Sequence, residues 1–205
     1  MRKSLVGYAA VLAVVGGVAM ASMASTAGAH TRTARATLRD ASGQEIGRVK
    51  FVDARGATEV RVDIRRGSAV AADAFHGFHI HANDVATNGE GCIADPAQLS
   101  NTWFTSADGH WKSGTQTHGQ HVGDMPSVFA NANGSVEMRF TISRIPLSEL
   151  AGKAVVLHAG ADNFGNIPIG PAADQYEENS ADAITKTQNT GNAGDRIACG
   201  VIAGR

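Results

Sequence analysis

Thr58-Glu59-Val60-Arg61-Val62-Asp63-Ile64-Arg65 is the stretch whose reading decides the fold. Val60, Val62 and Ile64 fall on one face and Glu59, Arg61, Asp63 and Arg65 on the other, the two-residue period of a half-buried strand; a helix would scatter them. Working outward, similar short runs precede it at Ala34 to Arg39 and Ile46 to Phe51, with Gly43, Gly56 and Gly67 as punctuation. Others follow at Phe75 to His81, Ser127 to Ala130, Ser135 to Ser143, Ala154 to His158 and Arg196 to Ile202. Eight short runs in a chain with 24 glycines and little helical periodicity predict an all-β antiparallel sandwich or barrel. Two long stretches, Ala82 to Met125 and Ala159 to Asp195, stay unassigned, and segments of that length in a small domain are expected to be functional loops.

The amino terminus reads as a secretory signal. Arg2 and Lys3 precede an apolar run from Leu5 to Met20, interrupted by Gly16 and Gly17 and shorter than the roughly 20 residues of a spanning helix, so no transmembrane anchor is expected. Ala27, Gly28 and Ala29 form a small-x-small cleavage site, and Ala19, Met20 and Ala21 a second. Residues 1–29 are therefore assigned to a signal peptide and 30–205 to one domain. Loss of the signal moves the formal charge from −1 to −3, which gives no indication of a nucleic-acid partner. Cys92 and Cys199 are the only cysteines, and in an exported chain such a pair is expected as a disulfide.

Six of the eight histidines lie in or beside the two long segments. His79 and His81 are two apart on a candidate strand, so both rings leave one face while Phe78 and Ile80 point into the core. His110, His118, His121 and Asp124 follow in a segment where Gly114, Gly119, Gly123 and Pro126 argue against a helix, so a loop wrapped around an ion is expected. Three imidazoles and a carboxylate suit tetrahedral zinc. His158 closes the apolar run Val155-Val156-Leu157 and can complete an all-imidazole site, for which copper is the better occupant because imidazole tolerates both its oxidation states. The bland readings are two surface histidines for His-x-His and a satisfied core histidine for His158. His76 reads as an exposed turn residue without a role, and His30 as part of a flexible tail.

Taken together these residues resemble the copper/zinc superoxide dismutases of the secreted bacterial type. The resemblance runs from about Ala34 to Ile202, and its most specific parts are Gly77-Phe78-His79-Ile80-His81, His118-Gly119-Gln120-His121-Val122-Gly123-Asp124 and Thr190-Gly191-Asn192-Ala193-Gly194-Asp195-Arg196-Ile197-Ala198-Cys199-Gly200-Val201. It implies an eight-stranded antiparallel Greek-key β-barrel with two long functional loops. It further implies copper on His79, His81, His110 and His158, zinc on His110, His118, His121 and Asp124, and His110 shared between them. Asp162 would orient His79 and His118, and Arg196 would dock the superoxide anion or brace the loop holding Cys92. The implied activity is dismutation of superoxide to oxygen and hydrogen peroxide outside the cytoplasm, secreted or in the periplasm or cell envelope, with a homodimer compatible. Two departures stand out: a long segment between Cys92 and His110, and Ser113 where the family often has proline.

Two other readings use the same residues. An exported copper store or copper-delivery module of the same fold needs the ligands and not Arg196. A copper oxygenase using His30 at a new amino terminus needs cleavage at the Ala29–His30 bond.

Overall fold

The computed structural model describes residues 32–68, 70–163 and 181–204, so the proposed signal peptide lies outside the described residues. Ten strands run in the order β1 (Thr33–Arg39), β2 (Glu45–Asp53), β3 (Thr58–Ile64), β4 (Ala74–His76), β5 (Phe78–His81), β6 (Val128–Ala130), β7 (Val136–Ile142), β8 (Ala154–His158), β9 (Arg196–Val201) and β10 (Ala203–Gly204). One helix, α1 (Ala181–Thr190), precedes β9.

All eight expected strands are present, most shifted at their ends by a residue or two. The expected Phe75 to His81 strand is divided at Gly77: β4 pairs with β6 and β5 pairs with β8, so this one segment serves two sheets. The large sheet has the order β5-β8-β9-β1-β2-β3-β7, every pairing antiparallel. At the turn between β6 and β7, Asn131 N donates to Ser135 O at 2.8 Å. The large sheet curls, and with the β4-β6 pair it forms an antiparallel Greek-key barrel in which β3 is followed in space by β7 and β1 lies between β2 and β9.

Alternation builds the interior. Val60, Val62 and Ile64 of β3, Leu38 of β1, Val49 and Phe51 of β2, and Phe78 and Ile80 of β5 are buried in one cluster with Val155, Leu157 and Ala198. β8 is buried on both faces: Val155 and Leu157 point into the barrel, whereas Ala154 and Val156 pack outside it against Phe104, Ala107 and Cys199. That explains a continuous apolar run in an antiparallel protein, since the outer face is roofed by the 82–108 segment instead of water. Cys92 in that roof is bonded to Cys199 of β9, 107 positions further along the sequence.

The helix was not expected from sequence. Ala181–Thr190 carries Thr185, Thr187, Asn189 and Thr190, poor helix formers with no broad apolar stripe, so neither propensity nor periodicity marks it. It ends at Gly191, whose φ of +64° L side chains disfavour and whose N–H caps Thr187 O at 2.9 Å.

The disulfide fastens the roof to the barrel and restricts the unfolded chain through a long closed loop. Reduction, or replacement of Cys92 and Cys199 by serine, should lower unfolding stability by about 2–5 kcal/mol in urea titrations; an unchanged midpoint would contradict this.

Candidate metal centre

β5 lies at one edge of the large sheet, and its free edge is taken by the 109–124 loop. Trp111 N donates to Ile80 O, Ile80 N to Gly123 O and Gly123 N to Trp111 O, each at 2.8 Å. Bridges pair His79 with Asp124 and His81 with His110. A Cβ on Gly123 would lie 2.2 Å from Ile80 O, so only glycine permits this approach. The strand therefore brings His79 and His81 to its outer face and simultaneously positions the loop that carries His110, His118, His121 and Asp124.

Four rings converge there. His79, His81, His110 and His158 are buried, and one nitrogen of each lies within 4.8 Å of the others. Each of these four rings has one buried nitrogen without a hydrogen-bond partner, His79 Nδ1, His81 Nε2, His110 Nε2 and His158 Nε2, and His118 Nδ1 beyond them is a fifth. The opposite nitrogens of three of these rings are engaged: His81 Nδ1 with Asp108 O at 2.7 Å, His158 Nδ1 with Gly194 O at 3.0 Å, and His79 Nε2 with Asp162 Oδ2 at 3.3 Å. Ring nitrogens held this way fix both tautomer and orientation for a metal on the other side.

His110 differs. Its Nδ1 is 2.8 Å from Asp124 Oδ1 and 3.3 Å from His121 Nδ1, so the ring faces a second set of donors opposite its partnerless Nε2. Asp124 Oδ1 is also 3.2 Å from His121 Nδ1 and 3.5 Å from His118 Nδ1. Donors around tetrahedral zinc, about 2.0–2.1 Å from the ion, lie about 3.3 Å apart, which matches this spacing. Asp124 Oδ2 accepts from the N–H groups of Gly119 and His121 at 2.6 and 3.1 Å. His121 Nε2 lies 3.1 Å from Gln116 O. By mutual distance alone, the second compact group is His79, His110, His118 and Asp124, with His79 in place of the expected His121. His79 enters because its ring centroid is only 4.2 Å from that of His110, yet its Nε2 is held by Asp162 and its Nδ1 belongs to the four-ring cluster.

Asp162 lies between the two clusters: besides His79 it reaches His118 Nε2 at 3.7 Å and accepts from Ser127 Oγ at 2.8 Å. Gly77 makes room for it, since a Cβ there would lie 2.8 Å from Asp162 Oδ1 and 2.6 Å from the Ala193 Cβ. The 181–190 helix closes the far side, with His118 N donating to Gln188 O at 2.7 Å. Arg196 is half-buried and braced, Nη1 donating to Phe104 O and Nη2 to Asp108 O, both at 2.7 Å. Asp108 O thus holds both His81 and Arg196 from one point. His76 is not an exposed turn residue: it is fully buried on β4, with Nδ1 2.8 Å from His158 O and Nε2 2.9 Å from Ala71 O. No periodicity distinguishes it, because its burial comes from the backbone of another strand.

Burial holds three of the rings, His81, His110 and His158, neutral. It pushes His110 down to about 4, opposed by Asp124, and His158 down to about 3, helped by His79; His81 is also held well below the usual histidine range by burial and by His110. For His118 burial acts downward too, but Asp124 and Asp162 outweigh it and raise the ring. Burial would raise the Asp124 carboxyl, but His110 and His118 hold it far below the ordinary range.

An all-β barrel with buried, mutually adjacent imidazole and carboxylate donors on its outer face defines a class of two-metal β-barrel proteins. Residues 45–202 match the family of copper/zinc superoxide dismutases (SODC), and the chain belongs to that family. A Cu-Zn superoxide dismutase of Mycolicibacterium paratuberculosis is 32% identical over 176 residues, covering 80% of this chain and 71% of the relative. That of Mycobacterium tuberculosis is 33% identical over 184 residues, covering 85% and 71%. An extracellular Cu-Zn superoxide dismutase of Brugia pahangi is 29% identical over 182 residues, covering 84% and 76%. The fold matches the crystal structure of a double mutant of a SOD-like protein from Bacillus subtilis, with TM-score 0.57, 20% identity and coverage of 82% of this chain and 96% of that one. The chain is accordingly a superoxide dismutase with copper and zinc as its metals. Among the described residues no helix is long and apolar enough to cross a membrane.

The depressed histidines give a stability dependence of definite sign. Between the unfolded value of 6.5 and the folded values of about 4 and about 3, the unfolded chain holds protons that folded His110 and His158 refuse, so stability falls as pH falls through that window. His118 acts oppositely but alone. The chelated, metal-free protein should show a urea midpoint that declines steadily from pH 7 to pH 5; a flat or rising midpoint would contradict the burial of neutral rings.

Proposed function

We propose that copper is held by His79 Nδ1, His81 Nε2, His110 Nε2 and His158 Nε2, and zinc by His110, His118, His121 and Asp124, with His110 bridging. The observation that carries this reading is the set of four buried, partnerless ring nitrogens close enough to meet one ion, three of their rings being oriented from behind. His121 is preferred to His79 as a zinc ligand because its Nδ1 lies beside both His110 Nδ1 and Asp124 Oδ1. With both ions bound, their charge would favour the form of His110 that has lost both ring protons.

When bound, copper supplies the one-electron exchange that oxidises one superoxide to oxygen and reduces a second to peroxide. The remaining work falls to the chain. Arg196, its guanidinium anchored by Phe104 O and Asp108 O, presents a fixed cation to an arriving anion. The same bonds brace the loop that carries Cys92, so docking and bracing are compatible roles. His110 Nε2 would take a proton in one half-cycle and give it to the nascent peroxide in the other, the second proton of hydrogen peroxide coming from solvent water, while Nδ1 faces Asp124 and His121. Asp162 keeps His79 and His118 in register, and Asp124 holds the zinc loop through backbone N–H groups.

The proposed setting is extracytoplasmic: a signal peptide over residues 1–29, a mature single domain over 30–205, and a disulfide suited to an oxidising compartment. The store or delivery alternative needs no anion dock, so Arg196 separates the two. Arg196→Gln should retain copper while kcat/KM for superoxide falls at least about tenfold, measured by pulse radiolysis; unchanged turnover would remove the docking role. His118→Ala should lose zinc and thermal stability while copper stays bound in elemental analysis; equal loss of both metals would contradict separable sites.

A further inference from the structure

Away from the metal centre, the outward face of β1, β2, β3 and β7 carries a row of four cations. Arg35 is directly opposite Lys50, Lys50 opposite Arg61, and Arg61 opposite Arg139, so one cross-strand row has a positive charge on every strand. Neighbouring strands are about 4.8 Å apart, so the row spans about 14 Å. Like charges directly opposite one another destabilise a sheet, and these solvent-facing positions place no demand on the barrel interior, so folding does not account for the pattern.

The row is organised beneath the surface. Glu59, with a side chain only 12% exposed, places Oε1 2.5 Å from Arg61 Nε and Oε2 2.7 Å from Arg139 Nε, leaving the two guanidiniums 48% and 66% exposed. One carboxylate therefore orients two outward cations and leaves a net positive charge. Neither Arg35 nor Lys50 forms an ion pair among the described residues, which adds two more unneutralised charges to the same line. Beside the row lies a second such arrangement, Glu45 between Arg48 and Arg65 at 3.0 and 2.5 Å. Asp63 and Glu137 stand opposite each other on the same face two positions from Arg61 and Arg139, and with them counted Arg35, Arg48, Lys50, Arg61, Arg65 and Arg139 still outnumber Glu45, Glu59, Asp63 and Glu137.

We propose that this face binds a linear polyanion bearing phosphate groups, running across the four strands. Guanidiniums suit such groups through paired N–H donors. The exposed large apolar side chains of the described residues, Phe75, Val85, Ile93, Leu99, Phe129 and Val201, all lie off these four strands. The face thus offers nothing to insert into a lipid layer and no ring for a nucleobase to stack on, which favours a simple charged polymer over a membrane or single-stranded nucleic acid.

The test is titration of the metal-loaded protein with inorganic polyphosphate at low ionic strength, with phosphatidylglycerol vesicles as a separate arm. Lys50→Glu should weaken polyphosphate binding about tenfold or more and leave the melting temperature equal or higher, because it converts two like-charge pairs into opposite ones. Arg35→Gln should weaken it less. Lys186→Glu, the same charge change on the exposed side of the 181–190 helix, should have little effect. Equal weakening by Lys50→Glu and Lys186→Glu, no weakening by Lys50→Glu, no polyphosphate binding by the parent protein, or binding to vesicles only would each overturn the proposal.

Discussion

Four imidazole nitrogens are buried at one place without a hydrogen-bond partner, and this is the constraint on which the rest of the structure depends. Each such group costs about 1–3 kcal/mol when left unsatisfied, and burial also holds His81, His110 and His158 neutral. A cation is the natural partner for such a cluster. The barrel supplies the stiffness to hold the donors in place: β5 is bonded along one edge to β8 and along the other to the 109–124 loop, so the side chains of His79 and His81 leave a strand that cannot twist independently.

The two long loops are supports as well as walls. Asp108 shows how closely they are integrated: it sits at φ +65°, its carboxylate accepts from Asp84 N and Val85 N at 2.7 and 2.9 Å and from the Asn88 side-chain amide, and its carbonyl holds both His81 and Arg196. A ligand's orientation and the substrate-facing cation are thereby tied to one peptide. On the opposite side Asp162 ties His79 to His118, so a displacement in one donor set is felt in the other.

Much of this was legible in the sequence because strands and ligands obey short, local rules. Alternation in Thr58 to Arg65 and Ser135 to Ser143 marked β3 and β7, and the two-residue spacing of His79 and His81 placed both rings on one face. The reading failed where the determining contact is distant in sequence. His76 is buried by the carbonyls of His158 and Ala71, for which no local pattern exists. The 181–190 helix has weak propensity and docks through a backbone carbonyl on His118, a contact that leaves no mark on side-chain periodicity. The division of β4 from β5 falls at Gly77, where a Cβ would meet Ala193 and Asp162, a tertiary contact that no local pattern marks.

The central claim is that one ring, His110, stands between two different ions. Anomalous diffraction collected at the copper and zinc absorption edges of metal-loaded crystals tests it most directly. A copper peak is expected beside Nε2 of His110, within bonding distance of His79, His81 and His158, and a zinc peak beside its Nδ1, within bonding distance of His118, His121 and Asp124. A single peak, or two peaks of which one lies away from the His110 ring, would contradict it.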